Sequence, residues 1–286
     1  MFRTDVPSHV HERFFTGSYT ILMEYATLVE IVSAMHLTRY VQSPFPQRGG
    51  LMLVAPPGAF KTTIAETMDE YSATQVISDM NVQTLVGMKE QFLSQNITTL
   101  AFSDFAKLYK RHGSVASNME GIIMALAEEG FRKPSWLPQT TGALPARCAI
   151  IAGMTESFFN SKVKDWEDNG FLRRFLFARY IVSNIEIMED AVSHWRKAVL
   201  DGNFSATIPA SRTISYTLSR EDVRLVTYAI RHQHNKVSAS IMLQKIFCVL
   251  RWKFASDLKK ANFLIRDFMP CLSKRGGELI LKEKKQ

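Results

Sequence analysis

The stretch Ala55-Pro56-Pro57-Gly58-Ala59-Phe60-Lys61-Thr62-Thr63 sets a lysine and two hydroxyls directly behind a glycine-containing turn. A phosphate group needs this kind of turn. Its oxygens are met by inward-facing backbone N–H groups, by an ammonium and by the positive end of a helix. The apolar run 51–54 leads straight into the loop, giving the strand–loop–helix context that a phosphate-binding loop requires. On this reading Pro57, Gly58, Ala59, Phe60, Lys61, Thr62 and Thr63 surround a nucleotide's phosphates. Lys61 reaches the β and γ phosphates, and the Thr62 hydroxyl ligates Mg²⁺. The pattern asks for glycine where Ala55 and Phe60 stand, and the bulky Phe60 must point away from the phosphates. The alternative is a chance strand–turn–helix with a surface lysine.

Three further stretches carry candidate chemistry. Thr98-Thr99-Leu100-Ala101-Phe102-Ser103-Asp104 is an apolar strand ending in a carboxylate. A strand beside the loop strand would bring Asp104 to the carboxyl edge of the sheet as a second Mg²⁺ ligand. Asp104 equally suits an N-cap. A glutamate directly after it would polarise an attacking water, but Phe105 stands there, leaving Glu120 and Glu156 as other carboxylates. Ala146-Arg147-Cys148-Ala149-Ile150-Ile151-Ala152-Gly153-Met154-Thr155 predicts a strand between the other two. Its Thr155 either senses a γ-phosphate or opens a turn. Gly170-Phe171-Leu172-Arg173-Arg174-Phe175 sets two arginines before a strand. There they act on a neighbouring subunit's nucleotide or form surface ion pairs.

The elements that must hold these residues alternate. Strands are predicted at 51–54, 75–78, 98–103, 148–153 and 175–182. Helices are predicted at 61–71, 82–93 and 115–129, and a further helix at 14–41 precedes them. Residues 43–50, with two prolines and two glycines, read as a linker. Alternation of this kind predicts right-handed crossovers and a parallel sheet covered on both faces. From about residue 185 the pattern becomes mainly helical, with helices at 221–231 and 240–258. The run 212–218 leaves a winged helix open.

The net charge of +8 is unevenly placed. Residues 1–200 hold 19 Lys and Arg against 20 Asp and Glu, and residues 201–286 hold 16 against 7. A localised basic field suits a phosphate backbone, and equally a solvated tail at 274–285. No apolar run approaches the roughly 18 residues of a membrane span. The start lacks a secretory pattern. Three scattered cysteines make neither a metal pair nor a disulfide framework, which points to a cytoplasmic setting. The histidine pairs His9/His11 and His232/His234 lack further ligands at metal-site spacing, and no Gly-x-Ser-x-Gly elbow is present.

Taken in order, the four stretches resemble the helicase-like AAA+ ATPases, above all minichromosome maintenance helicases and ATPases of phages and mobile elements. Residues 55–62 resemble their Gly-Asp-Pro-Gly-x-Ala-Lys-Ser loop. Residues 146–155 resemble their sensor strand, with Thr155 where asparagine is usual. Residues 172–175 resemble their Leu-Ser-Arg-Phe motif, which puts the finger on Arg174. The resemblance covers about 48–182. It implies a three-layer α/β/α P-loop core there, between an N-terminal helical region (1–47) and a basic, mainly helical C-terminal region (183–286). It further implies ATP and Mg²⁺ as cofactors, DNA as partner and a homo-oligomeric ring, often a hexamer. A replication or mobile-element protein as partner and a bacterial or phage source go with it. The family's DNA-contacting hairpin falls within 129–146, where Arg132 and Lys133 meet phosphate and Trp136 stacks on a base; a simple surface loop is the alternative. A second sensor arginine is not evident, with Arg220, Arg224 and Arg251 as candidates. The family's large N-terminal DNA-processing domains have no counterpart in 1–47.

Overall fold

The alternating strands and helices assemble on a single parallel sheet in the computed structural model, which describes residues 19–45, 47–78, 87–94, 96–110, 113–130, 146–180, 213–233 and 235–272. The strands are β1 (Gly50–Val54), β2 (Thr74–Ile77), β3 (Thr99–Phe102), β4 (Ala149–Met154) and β5 (Phe175–Arg179). Their order across the sheet is β2-β3-β4-β1-β5, and every pairing is parallel. The near-continuous apolar character of β1, β3 and β4 follows from this placement, since a parallel sheet is buried on both faces. All residues of those three strands are buried.

The pleat sends alternate side chains to two separate cores. Leu51, Leu53, Ala149, Ile151, Leu176 and Ala178 face one, while Met52, Val54, Ile150, Met154, Phe175 and Phe177 face the other. The first core is closed by α1 (Tyr19–Leu37), α2 (Lys61–Glu66), α7 (Lys236–Lys253) and α8 (Leu258–Cys271). The second is closed by α4 (Gly113–Met124), a π-helical turn Ala125–Glu129 and α5 (Glu156–Asp168), with Phe92 of the short α3 (Lys89–Leu93). Its centre is aromatic: Trp166 stacks on Phe171 at 4.7 Å between centroids, and Phe105 meets Phe102 edge-on at 5.5 Å. The amphipathic α6 (Arg220–Ala229) packs on α7.

The flanking helices thus share the sheet's own core, through Leu28, Ile31, Val32 and Met35 of α1 and Leu243, Ile246 and Leu250 of α7. Helix α8 was not expected. Its apolar positions Ala261, Leu264, Ile265 and Phe268 lie at helical spacing within a charged segment. The expected helix 82–93 is seen as α3, with its first part outside the described residues. In 212–218, Ile214 makes a single bridge to Val41. Among the described residues no helix is long and apolar enough to cross a membrane.

His36 ties α1 to the sheet. Its Nδ1 lies 2.9 Å from Thr99 Oγ1 and 3.3 Å from Thr74 Oγ1. Burial, and then the charge of Arg39, push its pKa down to about 3 from 6.5. Between those values the unfolded chain binds a proton that the folded one refuses. Stability therefore falls as pH drops through this window, by up to about 1.4 kcal/mol per pH unit. The urea midpoint is expected to fall between pH 7 and pH 5, and to fall less in His36→Gln. An equal fall in the variant would acquit His36.

Candidate functional site

Adjacent strands β1 and β4 send their chains to opposite faces of the sheet. After β1 the chain turns into α2 on the first core, and after β4 it enters α5 on the second. This divergence opens a crevice at the carboxyl ends of the two strands, the usual ligand position in open α/β sheets. Every candidate of the loop 55–63 lies at this edge.

The loop continues the β1 ladder for one bond, from Ala55 N–H to Met154 O at 3.1 Å. It then turns through Gly58 (φ 76°) and Phe60 (φ 55°, ψ 20°), and α2 starts at Lys61. Both left-handed positions explain a preference for glycine, and Phe60 bears the strain of having a Cβ there, about 1–2 kcal/mol. Its ring is half-buried against the first core, which answers where a bulky side chain goes. The resulting stability ranking is inverted by size. Phe60→Gly is expected to stay within about 1 kcal/mol of wild type, because relief of strain offsets lost packing. Phe60→Val is expected to fall about 2 kcal/mol lower, because β-branching suits this backbone worst. Urea denaturation of the two variants checks the order.

Lys61 curls back over the loop, donating from Nζ to Ala55 O at 2.9 Å and Pro56 O at 2.5 Å. Burial holds its pKa below the ordinary lysine value, partly offset by the charge of Asp104. Thr62 Oγ1 donates to Ser103 O at 3.3 Å, so the hydroxyl faces the end of β3 where Asp104 follows. Asp104 Oδ1 accepts from Ala106 N–H at 3.1 Å and caps the 3₁₀ turn Phe105–Lys110. Its second oxygen has no hydrogen bond among the described residues. Capping and proximity to Lys61 therefore coexist in one carboxylate. Thr62, bonded to the Ser103 carbonyl, and the next residue, Asp104, carry hard oxygens of the kind Mg²⁺ takes. Among the described residues no three His, Cys, Asp or Glu side chains converge on a metal-sized site.

Strand β3 does not adjoin β1, as one expectation required; β4 lies between them, as the other required. Lys61 and the Ser103–Asp104 end of β3 approach each other over β4 without an ion pair, and Gly153 makes this approach possible. A Cβ at Gly153 would come 2.8 Å from Lys61 Cβ and 3.6 Å from Ser103 O. A glycine inside an otherwise apolar strand signals such close approach. Tyr180 is a second residue that pattern reading passed over. Its buried hydroxyl donates to Ala59 O at 2.7 Å and pins the loop to the end of β5; only the topology brings it there.

Thr155 lies at the same edge but is engaged as the N-cap of α5. It accepts from Phe158 N–H at 3.3 Å and contacts Ser157 Oγ at 3.2 Å. Phe105 is fully buried among the aromatic rings of the second core. Glu120 is occupied there too. It accepts from Tyr109 OH, from Trp166 Nε1 at 2.9 Å and from Asn169 Nδ2 at 2.9 Å. Glu156, half-exposed at the start of α5, pairs with Arg179 Nε at 3.5 Å and is the carboxylate nearest in sequence to the β4 end.

Arg174 is turned inward, at the opposite edge of the sheet. Its Nε lies 2.9 Å from Glu128 Oε2, its Nη2 donates to Glu129 Oε1 at 2.9 Å and its Nη1 to Gly170 O at 2.8 Å. In this arrangement it is a buried tie between β5 and the turn after α4. The exposed arginine of the pair is Arg173. Arg132, Lys133 and Trp136 lie outside the described residues.

The fold and the crevice define an α/β protein built on five parallel strands, with a lysine-bearing loop at the carboxyl ends of β1 and β4. No protein-family profile matches the chain, and no curated protein is similar to it in sequence.

Proposed function

We propose that the chain is an ATP-binding P-loop protein of the AAA+ type that acts on DNA. The observation that carries this reading is the convergence of Lys61, Thr62 and Asp104 over Gly153 at the crevice. A lysine folded onto two loop carbonyls is a phosphate ligand at rest: it exchanges them for phosphate oxygens when nucleotide enters. Thr62 and Asp104 would hold Mg²⁺, which supplies charge neutralisation for the phosphates. The loop N–H groups and the start of α2 supply the remaining positive potential. The basic excess of residues 201–286 supports nucleic acid as the partner. A homo-oligomeric ring is what the resemblance implies.

A second reading has its own observation. Phe105 stands in the core where a water-polarising glutamate is expected, and Glu120 is held by three donors. This favours a protein that binds ATP as a switch or scaffold within a nucleoprotein complex and turns it over slowly or not at all. Binding of a fluorescent ATP analogue with Mg²⁺, and phosphate release with and without single-stranded and duplex DNA, separate the two. DNA-stimulated release supports the ATPase, and binding without release supports the scaffold. Absence of binding overturns both.

A further inference from the structure

We propose that Arg39, Arg48, Arg147 and Lys245 form an oxyanion site for a phosphate group at the amino-terminal edge of the sheet, opposite the loop 55–63. Arg48 immediately precedes the Gly49-Gly50 entry to β1, and Arg147 stands two residues before β4, the strand paired with β1. Arg39 reaches the same edge by donating to Thr98 Oγ1, just before β3, and to Tyr40 OH. Lys245 rises from α7 beneath them and donates to Phe45 O at 2.6 Å and Gln47 O at 2.7 Å. Arg147 spends its guanidinium on the carbonyls of Glu128 and Glu129, at 3.0 and 2.9 Å.

Among the described residues none of these four cations is paired with a carboxylate. The carboxylates of Glu128 and Glu129 are taken by Arg174. The Nε atoms of Arg39 and Arg48 are buried without a hydrogen-bond partner, and the Arg48 guanidinium makes no hydrogen bond among the described residues. Arg39, Arg48 and Arg147 remain partly exposed, so a solute can reach them, while Lys245 is buried. Burial pushes Arg48 down to about 10 and Lys245 down to about 8. The neighbouring arginines push further, Arg39 and Arg147 on Arg48, and Arg48 and Arg147 on Lys245. Cations gathered at such cost call for an anion to complete them. A phosphate group has the charge and the several acceptor oxygens that a cluster of forked donors matches. The phosphate comes either from a nucleic-acid backbone or from a free phosphate ester, and the site does not depend on nucleotide binding at the other edge.

The test compares wild type, Arg48→Met and Lys61→Ala. Thermal melting is followed in inorganic phosphate against chloride of equal ionic strength, and anisotropy with a labelled oligothymidylate. Phosphate is expected to raise the melting temperature of wild type and of Lys61→Ala, and that of Arg48→Met by clearly less than either. If the source is nucleic acid, Arg48→Met also binds the oligonucleotide about tenfold more weakly, with a salt slope smaller by about one. Unchanged oligonucleotide binding with a reduced phosphate response assigns the site to a free ester. The site is overturned if phosphate stabilises wild type no more than chloride does, or stabilises Arg48→Met equally. It is overturned too if Arg48→Met melts well below wild type in plain buffer, which would make Arg48 a structural cation.

Discussion

Lys61→Ala is expected to lower affinity for Mg²⁺ and ATP by about 100-fold while leaving the fold intact. Loss of one charged partner from a desolvated, hydrogen-bonded pair costs about 2–5 kcal/mol, and about 2.7 kcal/mol is a factor of 100. The cost to folding is small because two terms oppose. The variant forgoes the bonds from Nζ to Ala55 O and Pro56 O, and it also removes an ammonium that burial has made costly. Lys61→Arg is not expected to rescue binding. A planar guanidinium does not reproduce the compact ammonium that sits on Ala55 O and Pro56 O. Titration with a fluorescent nucleotide gives the affinity, and a thermal melt within a few degrees of wild type certifies the fold. Unchanged affinity in a folded Lys61→Ala protein would remove the phosphate-binding assignment, and with it both readings of the site.

The order along the chain and the character of the strands are legible in the sequence. The strands were visible because a parallel sheet buries both faces, so that β1 and β4 are apolar without interruption. The turn after β1 and the helix start at Lys61 are legible because prolines and a glycine close the strand before a new apolar period begins. Sequence alone did not rank the two roles of Asp104, because capping Ala106 N–H and facing Lys61 require the same residue type. It assigned Arg174 to a neighbouring subunit because a motif does not record burial; Glu128 and Glu129, distant in sequence, claim that guanidinium. Sequence pattern places Gly153 in a strand and gives Tyr180 no role, since both act through contacts that only the strand order creates. The cationic cluster at the other edge was invisible for the same reason, as its members come from four separate stretches of chain.

Arg251→Ala is expected to destabilise the protein by about 3–5 kcal/mol, the cost of stranding one member of a buried ion pair. Arg251 Nη2 donates to Asp222 Oδ1 at 2.5 Å and Nη1 to Asn262 Oδ1 at 2.7 Å, so one guanidinium ties α7 to α6 and α8. Asp222 is itself buried and completes the capping box of α6, with Ser219 as its partner. Burial pushes the Asp222 carboxyl up. The bonds from Arg251 and from the Ser219 backbone and hydroxyl outweigh it and hold the pKa below the ordinary value of 3.8. A depressed carboxyl contributes its stability above the unfolded pKa and loses it as pH falls through the folded one. Without Arg251 the carboxyl is left buried with only Ser219, so protonation becomes favourable at a higher pH. The gap between variant and wild type, read from urea unfolding, is therefore expected to be widest near neutrality and to narrow toward pH 4. The double variant Arg251→Met with Asp222→Leu should recover a large part of the loss, because two apolar side chains need no partner. Arg251 is also one of the arginines whose position in the C-terminal helices suggested a second nucleotide sensor. The two roles predict opposite patterns. A structural tie costs stability and leaves nucleotide affinity unchanged in whatever fraction is folded, whereas a sensor costs affinity and leaves the unfolding midpoint where it was.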